Sequence, residues 1–472
     1  MYTCIHRAFA ALFIPMACWQ VWIFPAMPNY YLQHILIYPC IMFLGYAFVC
    51  GQWSWQKALL RWRWLCPWLA ALLCAQAAAF WFNAPLLPQH SFVSMLLTGL
   101  VKLLLQLPFA LLFVELLRLL LLDEQGRRNF MRGALAAFFA LCCWCAVQAL
   151  TIFTQDATQP ALIALHSALA SLLRTLSPWL EARWLATAIP MYREHAYALT
   201  EGRINGFFEE ASVLATWLGL FFLPLGLAGC AAAQQQVKQA VKTYAPLSRN
   251  ASIFLLMASL LLLLLCRSTA GVALCAVGII LALFLLLPRF STALRYGFFA
   301  SFISIVLLSA CLTSLGHKAS WQLLAGKSNR FEVTQISAEI TLKYPFLGVG
   351  RGMFSPAYAE HSPLTSRDMG EMRTWKEQKS IPKLCAWLAL SAEYGIPVAL
   401  CLIGACLALW WRLRWAYRRQ PCPCTLFWYT GGTAYFCLLA VAMLAVVEMR
   451  NPFAHTLLIA LYCSLSHEDN SI

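Results

Sequence analysis

Apolar stretches recur from one end of the chain to the other, each close to the ~20 residues that an α-helix needs to cross a bilayer. We read twelve, at 8–25, 32–50, 64–83, 91–122, 133–154, 210–233, 252–266, 268–287, 296–315, 384–411, 425–447 and 453–466. A soluble domain cannot absorb so many, because its helices need a polar face toward water. Composition points the same way: 61% of the residues are hydrophobic and 11% charged, against about 25% charged in soluble domains. In hydrocarbon a helix satisfies every backbone group within its own segment. The expected fold class is therefore all-α, a polytopic membrane protein of about 12 transmembrane helices.

The net charge of +15 follows this topology rather than nucleic acid, for which we expect no role. Lys and Arg concentrate in cytoplasmic connections. With a cytoplasmic N-terminus, the inner connections hold Lys57, Arg61, Arg63; Arg127, Arg128, Arg132; Lys238, Lys242, Arg249; Arg289, Arg295; and Arg412, Arg414, Arg418, Arg419. The short outer connections at 26–31 and 84–90 hold none. Both termini then lie in the cytoplasm. The first apolar segment runs on without a small-residue cleavage site and is expected to be a signal anchor. The stretch "RST" at 267–269 cuts one apolar run in two and is expected to be a tight turn. Cys142 and Cys145 have CxxC spacing but lie inside a span without a partner pair, so no metal site is assigned.

Two connections are too long for turns, and both fall on the outer side. They divide the chain into helices 1–5 (1–154), a first loop (155–209), helices 6–9 (210–315), a large loop (316–383) and helices 10–12 (384–472). The first loop holds "ALIALHSALASLLRTL", whose leucines share one helical face suited to a membrane interface. The large loop holds Lys318, Lys327, Arg330, Lys343, Arg351, Arg367, Arg373, Lys376, Lys379 and Lys383. Such charge on the outer side asks for an anionic partner, a lipid head group or a diphosphate.

Within that loop stands "LKYPFLGVGRGMFSPAY" (342–358). A dinucleotide fingerprint needs GxGxxG between a strand and a helix. Here the spacing is GxGxG after Pro345, in an outer loop, so a nucleotide is excluded. The glycines make a tight turn. A sharper expectation adds Arg351 and the clustered backbone amides as contacts for phosphate oxygens.

These residues carry a resemblance. "NRFEVTQISAEITLKYPFLGVGRGMFSPAY" (329–358) followed by "CAWLALSAEYGIPVAL" (385–400) resembles the large periplasmic loop and next helix of the O-antigen ligase and O-antigen polymerase superfamily. "LLCRSTAGVAL" (264–274) is similar to that family's short arginine-containing turn, and "GRINGFFEEASVLA" (202–215) to the segment leading into a central span. The four stretches occur in the family's order over roughly residues 200–400. One departure stands out: ligases usually begin the later helix with His-Asn nine residues before its glutamate, where this chain has Leu384 and Cys385.

The resemblance implies a GT-C-like glycosyltransferase of the bacterial inner membrane, active on the periplasmic face. Its donor would be an undecaprenyl-diphosphate-linked glycan and its acceptor a glycan or lipid A core. No cofactor and no metal are expected, since the sugar is already activated. Arg203, Arg267 and Arg351 are the diphosphate candidates, with snorkelling to the interface as the plainer role for Arg267. His361, Glu209 and Glu210 are the candidate bases, against the plainer roles of a solvated loop histidine and of helix N-terminal charges. Glu393 is expected deep in a helix beginning near 384, either paired with an arginine or neutral, and supporting the site. Polymerase and ligase both remain open. A lipid-linked glycan flippase is the alternative, although no internal repeat of the transporter kind is evident.

Overall fold

The computed structural model describes residues 2–18, 36–154, 204–206, 208, 211–239, 246–266, 268–286, 329–366, 368, 370–377, 381, 383, 385–445 and 455–461. Among them every regular element is a helix. The N-terminal part contains α1 (Tyr2–Cys18), α2 (Ile37–Val49), α3 (Trp55–Trp62) and α4 (Cys66–Asn83). The helix α5 runs as Phe92–Leu96, a wider π turn Leu97–Val101 and Lys102–Leu120, followed by α6 (Glu124–Thr154). The central helix α7 likewise comprises Ala211–Trp217, a π turn Leu218–Phe222 and Leu223–Gln239. Then come α8 (Arg249–Leu265), α9 (Thr269–Leu286), α10 (Asn329–Lys343), α11 (Phe354–His361), α12 (Gly370–Glu377), α13 (Ala386–Tyr394), α14 (Ile396–Arg419) and α15 (Pro423–Ala445).

Six of these helices, α4 to α7, α14 and α15, are long and apolar enough to cross a membrane; α1, α2, α8 and α9 are apolar but shorter. Their burial separates centre from rim. The apolar stretch of α7 is 94% buried, whereas that of α14 is 11% buried. A helix apolar all round must sit inside a bundle or face lipid, and α7 and α14 take the two options. The centre packs closely because α7 is rich in small residues. A Cβ on Gly226 would fall 2.7 Å from the backbone nitrogen of Leu256, so only glycine lets α7 and α8 touch there.

The turn expected at 267–269 is present in its described parts: α8 ends at Leu265, and Ser268 accepts from the Gly271 N–H at 2.9 Å to start α9. Two expectations are corrected. Arg127, Arg128 and Arg132 belong to the first turns of α6 rather than to a connection, because Asp123 accepts from the Gly126 N–H at 2.6 Å and Glu124 pairs with Arg128. The span expected at 384–411 is two helices, α13 and α14, broken at Gly395, whose φ of 84° no ordinary helix residue adopts. The expected segment 296–315 and the first loop's leucine-rich stretch lie outside the described residues.

The large loop builds its own small core. Val333, Ile340, Val349, Met353, Phe354, Tyr358 and Met372 pack with Phe80 of α4, Met95 of α5 and Leu87 of the connection between them. From Gly99, which touches the loop at the Arg351 carbonyl, α5 runs sixteen residues to Glu115, about 24 Å at 1.5 Å per residue. The loop core therefore crowns one end of the bundle. At the far end of α14, Arg414 lies 5.5 Å from the Trp410 ring and Arg419 lies 3.4 Å from the Trp415 ring. Arginine with tryptophan is the composition of a membrane-water interface.

Glu115 is buried and takes four donor groups: Arg61 (2.6 and 3.1 Å), Trp62 (2.8 Å), Trp53 (3.3 Å) and Arg118 (3.3 Å). The Glu115–Arg118 pair was legible from its i, i+3 spacing; the reach to α3 was not. Removing one partner of a fully buried ion pair costs about 3–5 kcal/mol. Arg61 is 36% exposed and Arg118 20%, so water offsets some of that loss. Glu115→Leu should lower stability by about 1–3 kcal/mol, seen as a lower midpoint of thermal unfolding in detergent. An unchanged midpoint would show that the cluster holds nothing together.

Candidate functional site

The loop Pro345–Met353 closes on α13. The last carbonyls of a helix have no partner within it, and here the loop supplies them. Val349 N–H donates to Ala392 O at 2.8 Å, and Gly350 N–H to Glu393 O at 3.0 Å. In return Ile396 N–H donates to Pro345 O at 2.7 Å. Glycine is required at 350: its φ is 100°, and a Cβ there would lie inside the Phe80 ring. On the α4 side, Asn83 Nδ2 donates to Gly348 O at 2.9 Å.

Every amide of the glycine stretch is thereby used. Gly348 N–H goes to Tyr344 O, Arg351 N–H to Gln76 Oε1 at 2.8 Å, Gly352 N–H to Glu393 Oε1 at 2.9 Å and Met353 N–H to Gly350 O. This corrects the expectation of a phosphate cradle made of backbone amides. The amides hold the fold of the loop, and the Arg351 side chain is the cationic group of the stretch.

Arg351 is half-buried, with its guanidinium on the Tyr394 hydroxyl and on Gln106 Oε1. Both partners are neutral. Among the described residues no carboxylate pairs with it: Glu393 instead accepts from Gly352 N–H and from Lys383 Nζ at 2.8 Å. Glu393 was expected deep in a span, on an arginine or neutral. It is the eighth residue of the nine-residue α13, on a lysine, because Gly395 ends the helix beside the loop. The C-terminal end of α13 also favours a cation nearby through its dipole. Gln76 adds a further donor. Arg351 N–H fixes its amide orientation, and its Nε2 is buried with no hydrogen-bond partner among the described residues.

His361 stands apart from Arg351, at the far end of α11, seven residues beyond Phe354, about 10 Å along the axis. Its Nδ1 donates to Ala357 O at 2.7 Å, which leaves Nε2 as the basic nitrogen, 3.4 Å from Lys343 Nζ. Arg203, Glu209, Glu210 and Arg267 lie outside the described residues. Their neighbours are anchored: Gln148 of α6 holds Asn205 through its Nε2 (2.8 Å) and accepts from Gly206 N–H (2.9 Å).

A second polar cluster braces the loop. Glu332 Oε1 accepts from Tyr358 (3.0 Å), Ser362 (2.9 Å) and Lys376 (2.9 Å), and Lys376 also donates to Asp368 at 2.9 Å. Burial by itself raises the Asp368 carboxyl, but the Thr365 N–H and the Lys376 ammonium outweigh it and hold it below the usual value. Burial by itself lowers Lys376, and the two carboxylates outweigh that and raise it. Burial and the neighbouring Glu332 push the Tyr358 hydroxyl up. Lys376 is thus a charged clamp rather than a base.

Sequence reasoning missed Gln76, Asn83, Gln106, Tyr394 and the Glu332–Lys376 cluster. For the two glutamines a signal existed, since each is a lone amide inside an apolar span, "LLCAQAAAF" and "KLLLQLP". A polar group there needs a partner or a task.

Two outcomes test this geometry. Gly350→Ala should destabilise the protein by about 1–3 kcal/mol through overpacking on Phe80, and Phe80→Ala in the same chain should recover some of it in a double-mutant cycle. Strict additivity would remove Phe80 as the cause. For the clamp, the depressed Asp368 contributes stability above its unfolded pKa, lost as pH falls through the lower folded value. The raised Lys376 contributes below its unfolded pKa, lost as pH rises through the higher folded value. Proteolysis within 362–381 should therefore stay flat from about pH 5 to 9 and rise below about pH 4 and again above about pH 10.5. A change near neutrality would point to another group.

The chain matches no model of a known protein family and no curated protein.

Proposed function

We propose that this chain is an integral-membrane glycosyltransferase of the O-antigen polymerase or ligase type. It takes a glycan from an undecaprenyl-diphosphate carrier and transfers it to a hydroxyl of a second glycan or of lipid A core, on the periplasmic face of the inner membrane. The observation that carries this reading is Arg351: a half-buried guanidinium without a carboxylate partner among the described residues, fixed by neutral groups at one end of an apolar helix bundle.

The chemistry asks for such a group. The acceptor oxygen attacks the anomeric carbon, the carbon–oxygen bond to the diphosphate breaks, and the hydroxyl proton leaves to a base. The departing diphosphate gains charge, and a fixed guanidinium in a place of low dielectric stabilises it. The spare Nε2 of Gln76 is a second donor close to the Arg351 backbone. Two further features favour the resemblance. The stretches 329–343, 345–352 and 386–394 pack as one unit, and the Asn205–Gly206 stretch is tied to α6. Arg203 and Arg267 remain the other diphosphate candidates, and Glu209, Glu210 and His361 the candidate bases.

Deletion of the gene, complementation with variants and separation of surface glycans by size test the reading. Arg351→Ala should reduce glycan transfer by about 10²-fold or more at an unchanged level of membrane-inserted protein. Arg351→Lys should fall between, since it keeps the charge but loses the planar fork. His361→Ala should change transfer only slightly, because His361 stands at the far end of α11 from Arg351 with its Nε2 beside the Lys343 ammonium; complete loss of transfer would instead make it the leading base. Full transfer by Arg351→Ala would end the proposal. Purified protein that moves lipid-linked glycan across vesicles without ever transferring it would make the chain a flippase.

A further inference from the structure

The outer face of α10 changes character along its length. Its inner face, Val333, Ile336 and Ile340, is packed in the loop core. On the outer face the half-buried Gln335 and the exposed Glu339 come first, polar side chains joined at 3.0 Å. Leu342 comes last on the helix and Phe346 follows in the turn beyond its end, and they are 74% and 77% exposed. Exposure of two large apolar side chains at one place is unfavourable in water, and their place in the fold supplies a different solvent. Pro345 O accepts from Ile396 N–H, and a Cβ on Gly395 would strike the Phe346 carbonyl. Phe346 thus adjoins the first turn of α14, the least buried of the six long apolar helices, whose Ile396, Leu400 and Leu407 are exposed in turn. Lys343 and Tyr344 stand between Leu342 and Phe346, with the ammonium 5.5 Å from the Tyr344 ring. A cation and a tyrosine beside apolar anchors is the arrangement of a segment at the head-group level.

We propose that Leu342 and Phe346 insert into the acyl chains of the bilayer and seat the C-terminal end of α10 in the membrane. The apolar rim of α14 continues onto the loop, and the glycine stretch that follows Phe346 is held at the lipid boundary. The occupant is bulk phospholipid. This inference needs only that α14 crosses a membrane, so it stands or falls separately from the transferase reading.

Site-specific photo-crosslinking tests it in the full chain. Benzoylphenylalanine is placed at Leu342, Phe346 or, as a water-facing control, Glu360, which is exposed on α11. The protein is reconstituted in vesicles of phosphatidylethanolamine and phosphatidylglycerol, irradiated and weighed intact. Phospholipid adducts should form at 342 and 346 in several-fold excess over 360. Equal yields at all three positions would overturn the proposal. So would crosslinks to a second copy of the chain, or adducts with polyprenyl lipid alone. Because benzoylphenylalanine keeps the aromatic character of Phe346, that variant retains its seat. The Leu342 variant tests the same face independently.

Discussion

The arrangement of the loop depends on how α13 ends. A helix that stops within the structure leaves carbonyls that must be satisfied, and the amides of Val349 and Gly350 satisfy those of Ala392 and Glu393. That exchange fixes the position of the glycine stretch against α13. It brings Phe80 against Gly350, sets Arg351 N–H on Gln76, and aims the guanidinium at Gln106 and Tyr394. Three apolar helices and one loop thus meet at a single arginine.

The same exchange explains why glycines stand at 348, 350 and 395. At 348 and 395 they let two backbones meet, at 350 glycine makes room for the Phe80 ring, and all three have positive φ. A glycine-rich stretch resembles an anion cradle when its spacing is considered alone. Here the amides are consumed by a helix end, by the loop's own carbonyls and by the side chains of Gln76 and Glu393. Further out from the bundle, the Glu332–Lys376 cluster braces the loop in a comparable way, joining α10, α11 and α12 through charges that satisfy one another.

Much of the fold was legible because hydrocarbon leaves few choices. Apolar runs of sufficient length become helices, and the bounds of α4, α5, α8, α9 and α15 fall close to those expected. The misjudged places are those where local chemistry competes with hydropathy. Asp123 and Glu124 start α6 early, drawing three arginines into a helix that hydropathy begins at 133. Gly395 breaks a run that is apolar throughout. In the site, Arg351 was legible as a charge out of place in its setting. Gln76, Gln106 and Tyr394 were not, since they lie 275, 245 and 43 residues away from it along the chain.

The sequence by itself determined that this chain is helical and apolar enough for a membrane, and where most of its helices begin and end. Those properties follow from segment-by-segment transfer energies and need no neighbours. Only the tertiary structure decided that α7 is central and α14 peripheral, that the amides of the glycine stretch are spent within the fold, and that the Arg351 guanidinium rests on two neutral groups. Each is a statement about partners, and partners distant along the chain meet only once the bundle has packed.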